Sequence, residues 1–226
     1  MQARARELLP QVLLTLQSIV QALALELLWD RVANAPHLLP PGGVEGVAFA
    51  GLLAGWLQVG AIVLGIVLIW LVYVGLVLRF AWVPRTRDSL FPFAIGLLEF
   101  LSIELLGPDH APAWLAVMGV IFSVTSFATN DVFVFASRES GGVMEGGRLS
   151  GLRDFWVGQL LAFAHLALAG VLAVVGGYGA LAATVFGAID AVLLFQMWLV
   201  HLYLSDALRG PAPADPAERE AEADGT

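Results

Sequence analysis

The sequence predicts an all-α, polytopic membrane protein: a six-transmembrane-helix bundle with both termini cytoplasmic. Three observations lead there. Hydrophobic residues make up 59% of the 226 residues and charged residues only 13%, about half the charged share of a soluble domain. The mean hydropathy is +0.83. The apolar residues fall in six continuous blocks near the ~20 residues that a helix needs to cross hydrocarbon. Barrel strands would instead alternate polar and apolar side chains over about ten residues.

The first block covers about 8–29. Arg4, Arg6 and the triplet Ala33-Asn34-Ala35 imitate a cleavable signal. The apolar run is too long for one, and Glu26 and Asp30 interrupt its end, so an uncleaved helix is expected. The second block, about 46–78, carries no charge. It exceeds one crossing, so it should tilt, kink or extend past the interface. The third, about 90–106, is short and acidic. The fourth is about 113–136, the fifth about 154–176 and the sixth about 180–204. Residues 1–206 thus form one transmembrane domain. The tail 207–226 sets two arginines against Asp215, Glu218, Glu220, Glu222 and Asp224, and its Pro/Ala/acid composition predicts disorder. The glycine-rich stretch 137–154 lacks the Gly-Lys-Ser/Thr ending of a phosphate loop and reads as a connector.

Orientation follows from arginine. With the N-terminus inside, ten of the eleven basic residues are cytoplasmic and only Arg31 is outside. That is a strong positive-inside bias and predicts an inner-membrane, multi-pass protein. Trp29, Trp56, Trp82, Trp114, Trp156, Tyr178 and Tyr203 lie near block ends, where an aromatic belt is expected.

Composition removes several chemistries. There is no cysteine, so disulfides, iron–sulfur clusters and thiolate nucleophiles are excluded. All eleven basic residues are arginine, so no lysine Schiff base can form. No nucleotide motif and no pair of histidines at matched depth for haem is present. No cofactor is expected. The net charge of −8 and the lack of a basic stripe argue against nucleic acid as a partner. The expected partners are the lipid bilayer, protons or small cations, and a second copy or another membrane subunit.

Polar residues at mid-block carry the functional expectation. Glu99, His165 and Asp190 each fall near the middle of a different block, where an ionisable group costs several kcal/mol unless it pairs, binds an ion or carries a proton. A turn near 177–179 sets His165 level with residue 191, beside Asp190. His165 shares a helical face with Gly158, Ala162, Ala169 and Gly176, and such small residues mark a helix interface. Glu99, His165 and Asp190 are therefore the expected proton- or cation-binding residues. Ser18, Gln21, Ser123 and Ser126 would line a path, with Asp131 at its cytoplasmic mouth among Arg79, Arg85, Arg87, His201 and Asp206. An outer cluster of Glu26, Asp30, His37, Glu104, Asp109 and His110 could attract cations. Whether a metal is bound is open, because no metal-ligand spacing such as His-x-x-x-His occurs.

The first expectation is a small channel or ion-coupled transporter rather than an enzyme. The alternative is a non-catalytic membrane subunit or scaffold whose polar midplane only fixes helix packing. The third is a metal-dependent intramembrane enzyme. One internal similarity recurs: Gln21…Ala24-Leu25-Glu26-Leu27-Leu28 resembles Glu99…Ser102-Ile103-Glu104-Leu105-Leu106, each followed by an Ala-Pro. A duplication would be of parallel helical hairpins.

Overall fold

The computed structural model describes residues 2–40, 49–80, 82–139, 152–176 and 178–209. These form α1 (Gln2–Ala33), α2 (Phe49–Arg79), α3 (Thr86–Glu104), a 3₁₀ turn (Pro108–His110), α4 (Ala111–Glu139), α5 (Leu152–Val175) and α6 (Ala180–Arg209). No strand occurs among the described residues. Five stretches are long and apolar enough to cross a membrane: Leu8–Ala33, Phe49–Arg79, Pro108–Glu139, Trp156–Val175 and Ala180–Ser205. That points to a multi-pass membrane protein. α3 is not among the five. It has 19 residues and carries Arg87, Asp88, Glu99 and Glu104.

α3 begins four residues early because Arg85 and Asp88 cap it reciprocally. The Asp88 carboxylate accepts the Arg85 backbone N–H at 2.8 Å, which satisfies a donor that the first turn leaves free. α1 and α6 run past their blocks at both polar ends and at the C-terminal end, respectively. α2 has 31 residues, about 46 Å at 1.5 Å per residue, well beyond the hydrocarbon thickness. The connector at 140–151, residues 46–48 of the second block and residues 210–226 of the tail lie outside the described residues. Residues 207–209 continue α6.

The packing order is not the chain order. α1 lies along α3, α3 along α4, α5 along α4, and α6 along α2. α1 and α3 run parallel, since Val20 meets Gly96, Gln21 lies by Glu99 and Arg31 meets Glu104. The expected α5–α6 hairpin does not pack as a pair. The cause lies in the faces. The small-residue face of α5 (Ala162, His165, Ala169) is buried on α4, while the apolar stripe of α6 (Ala182, Phe186, Ile189, Leu193) is buried on α2. Gly176, at φ +68°, ends α5 and donates its N–H to the Leu172 carbonyl at 3.0 Å. This left-handed position suits glycine.

Two apolar cores form. One surrounds Trp114, Ile103, Leu115 and Phe186 at the end away from the arginines. The other surrounds Trp82, Tyr73, Phe80 and Phe133 at the arginine-rich end. Trp114 meets Phe186 and Phe80 meets Phe133 edge to face, both with centroids 5.0 Å apart, the favoured aromatic geometry. Trp82 and Trp114 are therefore core residues, not members of an aromatic belt. Trp29 and Trp156 are exposed near helix ends, as a belt requires.

Candidate functional site

The polar side chains inside the bundle divide by helix interface. On α1 the buried stripe Leu13, Gln17, Val20, Gln21, Ala24 and Leu28 follows helical spacing, and it carries two amides toward α2 and α3. Gln21 Nε2 donates to the Ile66 carbonyl of α2 at 2.8 Å. Trp70 Nε1 donates to Ser18 Oγ at 3.2 Å, and Ser18 donates to the Leu14 carbonyl at 2.9 Å. Glu99 of α3 is buried beside Gln21. Neither of its carboxyl oxygens has a hydrogen-bond partner of acceptable geometry among the described residues. The same holds for both amide atoms of Gln17, which is fully buried. Gly96 lets α3 approach this close, because a Cβ there would collide with Val20.

His165 belongs to the α4–α5 interface. Its ring lies against Phe122, centroids 4.7 Å apart, and its Nδ1 is 2.6 Å from the Leu161 carbonyl. A carbonyl only accepts, so Nδ1 carries the proton. Nε2 has no partner among the described residues. One to two turns toward the arginine-rich end, Ser123 Oγ donates to Gln159 Oε1 at 2.8 Å, and Gln159 Nε2 donates to the Ser123 carbonyl at 3.2 Å. Ser126 sits against Gly158, so close that a Cβ at 158 would overlap it. Gly119 does the same service opposite His165, where a Cβ would stand 2.9 Å from the Ala162 carbonyl oxygen.

Asp190 belongs to the α2–α6 interface. Its carboxylate rests on Gly60, where a Cβ would lie 3.1 Å from Oδ2. It stands at the edge of the buried α6 stripe and is only half-buried. The sequence placed Glu99, His165 and Asp190 in one layer, and the fold sends each to a different helix pair. No group of three His, Asp or Glu side chains able to hold a metal occurs among the described residues.

Asp131 is tied into an ion-pair network. Arg85 Nη2 reaches Asp131 at 2.6 Å and Asp88 at 2.8 Å, and Arg87 reaches Asp131 at 2.9 Å. Arg85 also covers the Phe135 ring at 4.0 Å. Burial works against the Arg85 charge, but the bonds and charges of Asp88 and Asp131 outweigh it and hold the guanidinium above its ordinary range. Two arginines balance two carboxylates. At the opposite end Arg31 meets Glu104 at 2.8 Å, and Asn34 donates to Asp30 at 3.2 Å. His37 packs against Gly107. Burial pushes the His37 pKa down, and the Asp109 charge opposes that. The outer cluster thus does not converge: Glu104 and Asp30 have their own partners, and Glu26, Asp109 and His110 stand exposed.

Three polar residues escaped the sequence reading. Gln58 is fully buried. Its Oε1 accepts from Tyr178 Oη at 2.8 Å and from the Gly107 N–H at 3.3 Å, tying α2 to two turns. It was visible as the lone amide in the uncharged run 46–78. Asp88 is fully buried and was signalled by its place three residues after Arg85. Gln159 had no signal beyond being an amide in an apolar block. Comparison with protein-family models, curated proteins and solved structures returned no match.

Proposed function

We propose that this chain is a non-catalytic subunit or scaffold of the inner membrane, a six-span bundle with both termini cytoplasmic, whose polar side chains fix helix pairing. The observation that carries this is the division of Glu99, His165 and Asp190 among the α1–α3, α4–α5 and α2–α6 interfaces. A shared ion site needs its ligands to converge; a set of pins needs them dispersed, one or two per interface. The hydrogen bonds Gln21 to α2, Ser123 with Gln159, and Gln58 with Tyr178 follow the second pattern. Interhelical polar contacts of this kind contribute about 0.6 kcal/mol each on average in a membrane.

α3 serves as the sixth span in this reading. Its start pairs with Asp131 of α4 and its end with Arg31 near the end of α1, and its 19 residues make about 28 Å at 1.5 Å per residue, close to the hydrocarbon thickness. Its charged ends explain its low hydropathy. The ten-to-one arginine bias supports the orientation.

Ion handling remains the second reading, favoured by one observation. Glu99 and Gln17 are buried with polar atoms that have no partner among the described residues, and buried polar groups left unpaired are costly. Proton and cation flux into liposomes separates the two readings. The scaffold reading predicts the same leak for the protein, for its Glu99→Gln/Asp190→Asn variant and for empty liposomes. A leak present in the protein and lost in the variant establishes transport instead.

A further inference from the structure

Because α5 leans on α4 and α6 leans on α2, these four helices leave a cleft of about 440 Å³ between them. That lies within the usual range for small-molecule sites, about 300–1,000 Å³. Its walls are mostly apolar: Ile69 of α2, Ile121 and Phe122 of α4, Leu161 of α5, Leu193 and Leu199 of α6. The polar residues of its lining are Thr125, Ser126, Thr129 and Asn130 of α4 and Gln196 of α6. The cleft opens sideways. Val157 of α5 and Phe195 of α6 line it and are 49% and 57% exposed. In a bilayer that opening faces hydrocarbon, not water.

The cleft also has a direction. A smaller cavity of about 90 Å³ shares Val72, Thr129, Phe133 and Val200 with it and reaches Tyr203. The Arg79 guanidinium covers the Tyr203 ring, 4.6 Å from its centroid. Arg79 is the last residue of α2, at the arginine-rich end of the bundle. An apolar track thus runs from mid-bundle to a cation at the boundary, where anionic headgroups are attracted.

We infer that this track holds one acyl chain of an anionic phospholipid, with its phosphate at Arg79. The inference rests on the membrane setting of α5 and α6, and it is independent of whether the protein conducts ions. Chain burial alone gives little preference, because the surrounding lipid is equally apolar. Selectivity therefore comes from the headgroup, and the cleft supplies position.

Gly65 provides the test. It lines the cleft, and a Cβ built there meets nothing within 4 Å. Gly65→Leu therefore starts its side chain in open space and sends it into the cleft from α2. The probe is phosphatidylglycerol with a photoreactive group midway along one acyl chain, present as a trace in phosphatidylcholine vesicles holding the full chain. Cross-links are mapped by peptide mass spectrometry. Labels are expected to concentrate on cleft residues such as Phe122 and Leu161 over the exposed Leu97 and Val174. Gly65→Leu is expected to cut cleft labelling at least about tenfold, which is ~1.4 kcal/mol, with an unchanged thermal unfolding midpoint. Arg79→Gln should abolish the preference over a phosphatidylcholine probe of the same chain. Gly65→Ala, a smaller intrusion, serves if the leucine variant does not fold. Uniform labelling of cleft and outer faces, or cleft labelling untouched by a folded Gly65 variant, overturns the chain site. Equal labelling by both headgroups in the unmodified protein overturns the role of Arg79. Neither result bears on ion flux, so the two proposals fail separately.

Discussion

Replacing Arg85 with alanine should be the most damaging single change at the arginine-rich end. Asp88 is fully buried, while Arg85 is 24% exposed. Arg85→Ala removes the guanidinium contacts of Asp88 at 2.8 and 3.2 Å and the strongest partner of Asp131 at 2.6 Å. The Asp88 carboxylate then keeps only the backbone N–H of residue 85. Removing one partner of a buried pair costs about 3–5 kcal/mol because it strands a charge. The partial exposure of Arg85 puts the expected loss near the lower end, about 3 kcal/mol. Asp88→Asn keeps an acceptor for the cap and leaves Arg85 paired with Asp131, so it should cost only about 1–2 kcal/mol. An apolar double variant, Arg85→Met/Asp88→Leu, should recover part of the alanine loss, since no charge is stranded. The assay is a denaturing-detergent titration in mixed micelles, followed by helicity. A loss below about 1 kcal/mol for Arg85→Ala, the size of a solvated surface pair, would refute the reasoning. So would a double variant no better than the single one.

Other consequences can be checked in the same titration. Gln58→Leu leaves Tyr178 Oη and the Gly107 N–H without their acceptor and should cost about 1–3 kcal/mol; Tyr178→Phe should cost less. Gly119→Val drives side-chain atoms toward the Ala162 carbonyl and the His165 Cβ, 2.9 and 3.2 Å from the first added carbon. It should part α4 from α5 at a cost of about 1–3 kcal/mol, read as lost stability and faster cross-linking between cysteines introduced on exposed α5 faces of two copies. Stability should also fall as pH drops below about 6.5, the ordinary histidine value. Burial lowers the His37 pKa in the folded chain, so the unfolded chain binds more protons there. The contribution is complete above the unfolded value and is lost as pH falls through the lowered folded one. His37→Gln should flatten that slope in a pH series of unfolding titrations.

The helices were legible because lipid leaves a strong trace in sequence: long apolar runs with arginines at one set of ends. The small-residue face of α5 was legible too, since glycine and alanine at helical spacing mark close approach. What the sequence did not carry was the partner of each face. Short turns suggest neighbours, and the turn after Gly176 suggested that α5 packs on α6. Yet the face holding Ala162 and His165 matches Gly119 on α4, and the face holding Phe186 and Leu193 fits α2. Depth can be counted along a helix; azimuth relative to other helices depends on which surfaces interlock. For that reason Glu99, His165 and Asp190 could be given one level but not one location. Gln58 carries no charge and has no polar neighbour in its helix, so its isolation in an uncharged run was the one signal it gave. α3 shows the reverse. Its low hydropathy comes from charges that belong to ion pairs at its two ends and from Glu99 beside α1.

The central claim is that the polar side chains act as separate pins. Mutant cycles among Glu99→Gln, His165→Phe and Asp190→Asn test it most directly, with unfolding free energy as the readout. Independent pins require the double and triple variants to add within about 0.3–0.5 kcal/mol of the sum of single changes. A coupling above that in any pair, within the 0.5–3 kcal/mol seen for residues sharing a network, would mean that the three groups meet in one site and would contradict the account.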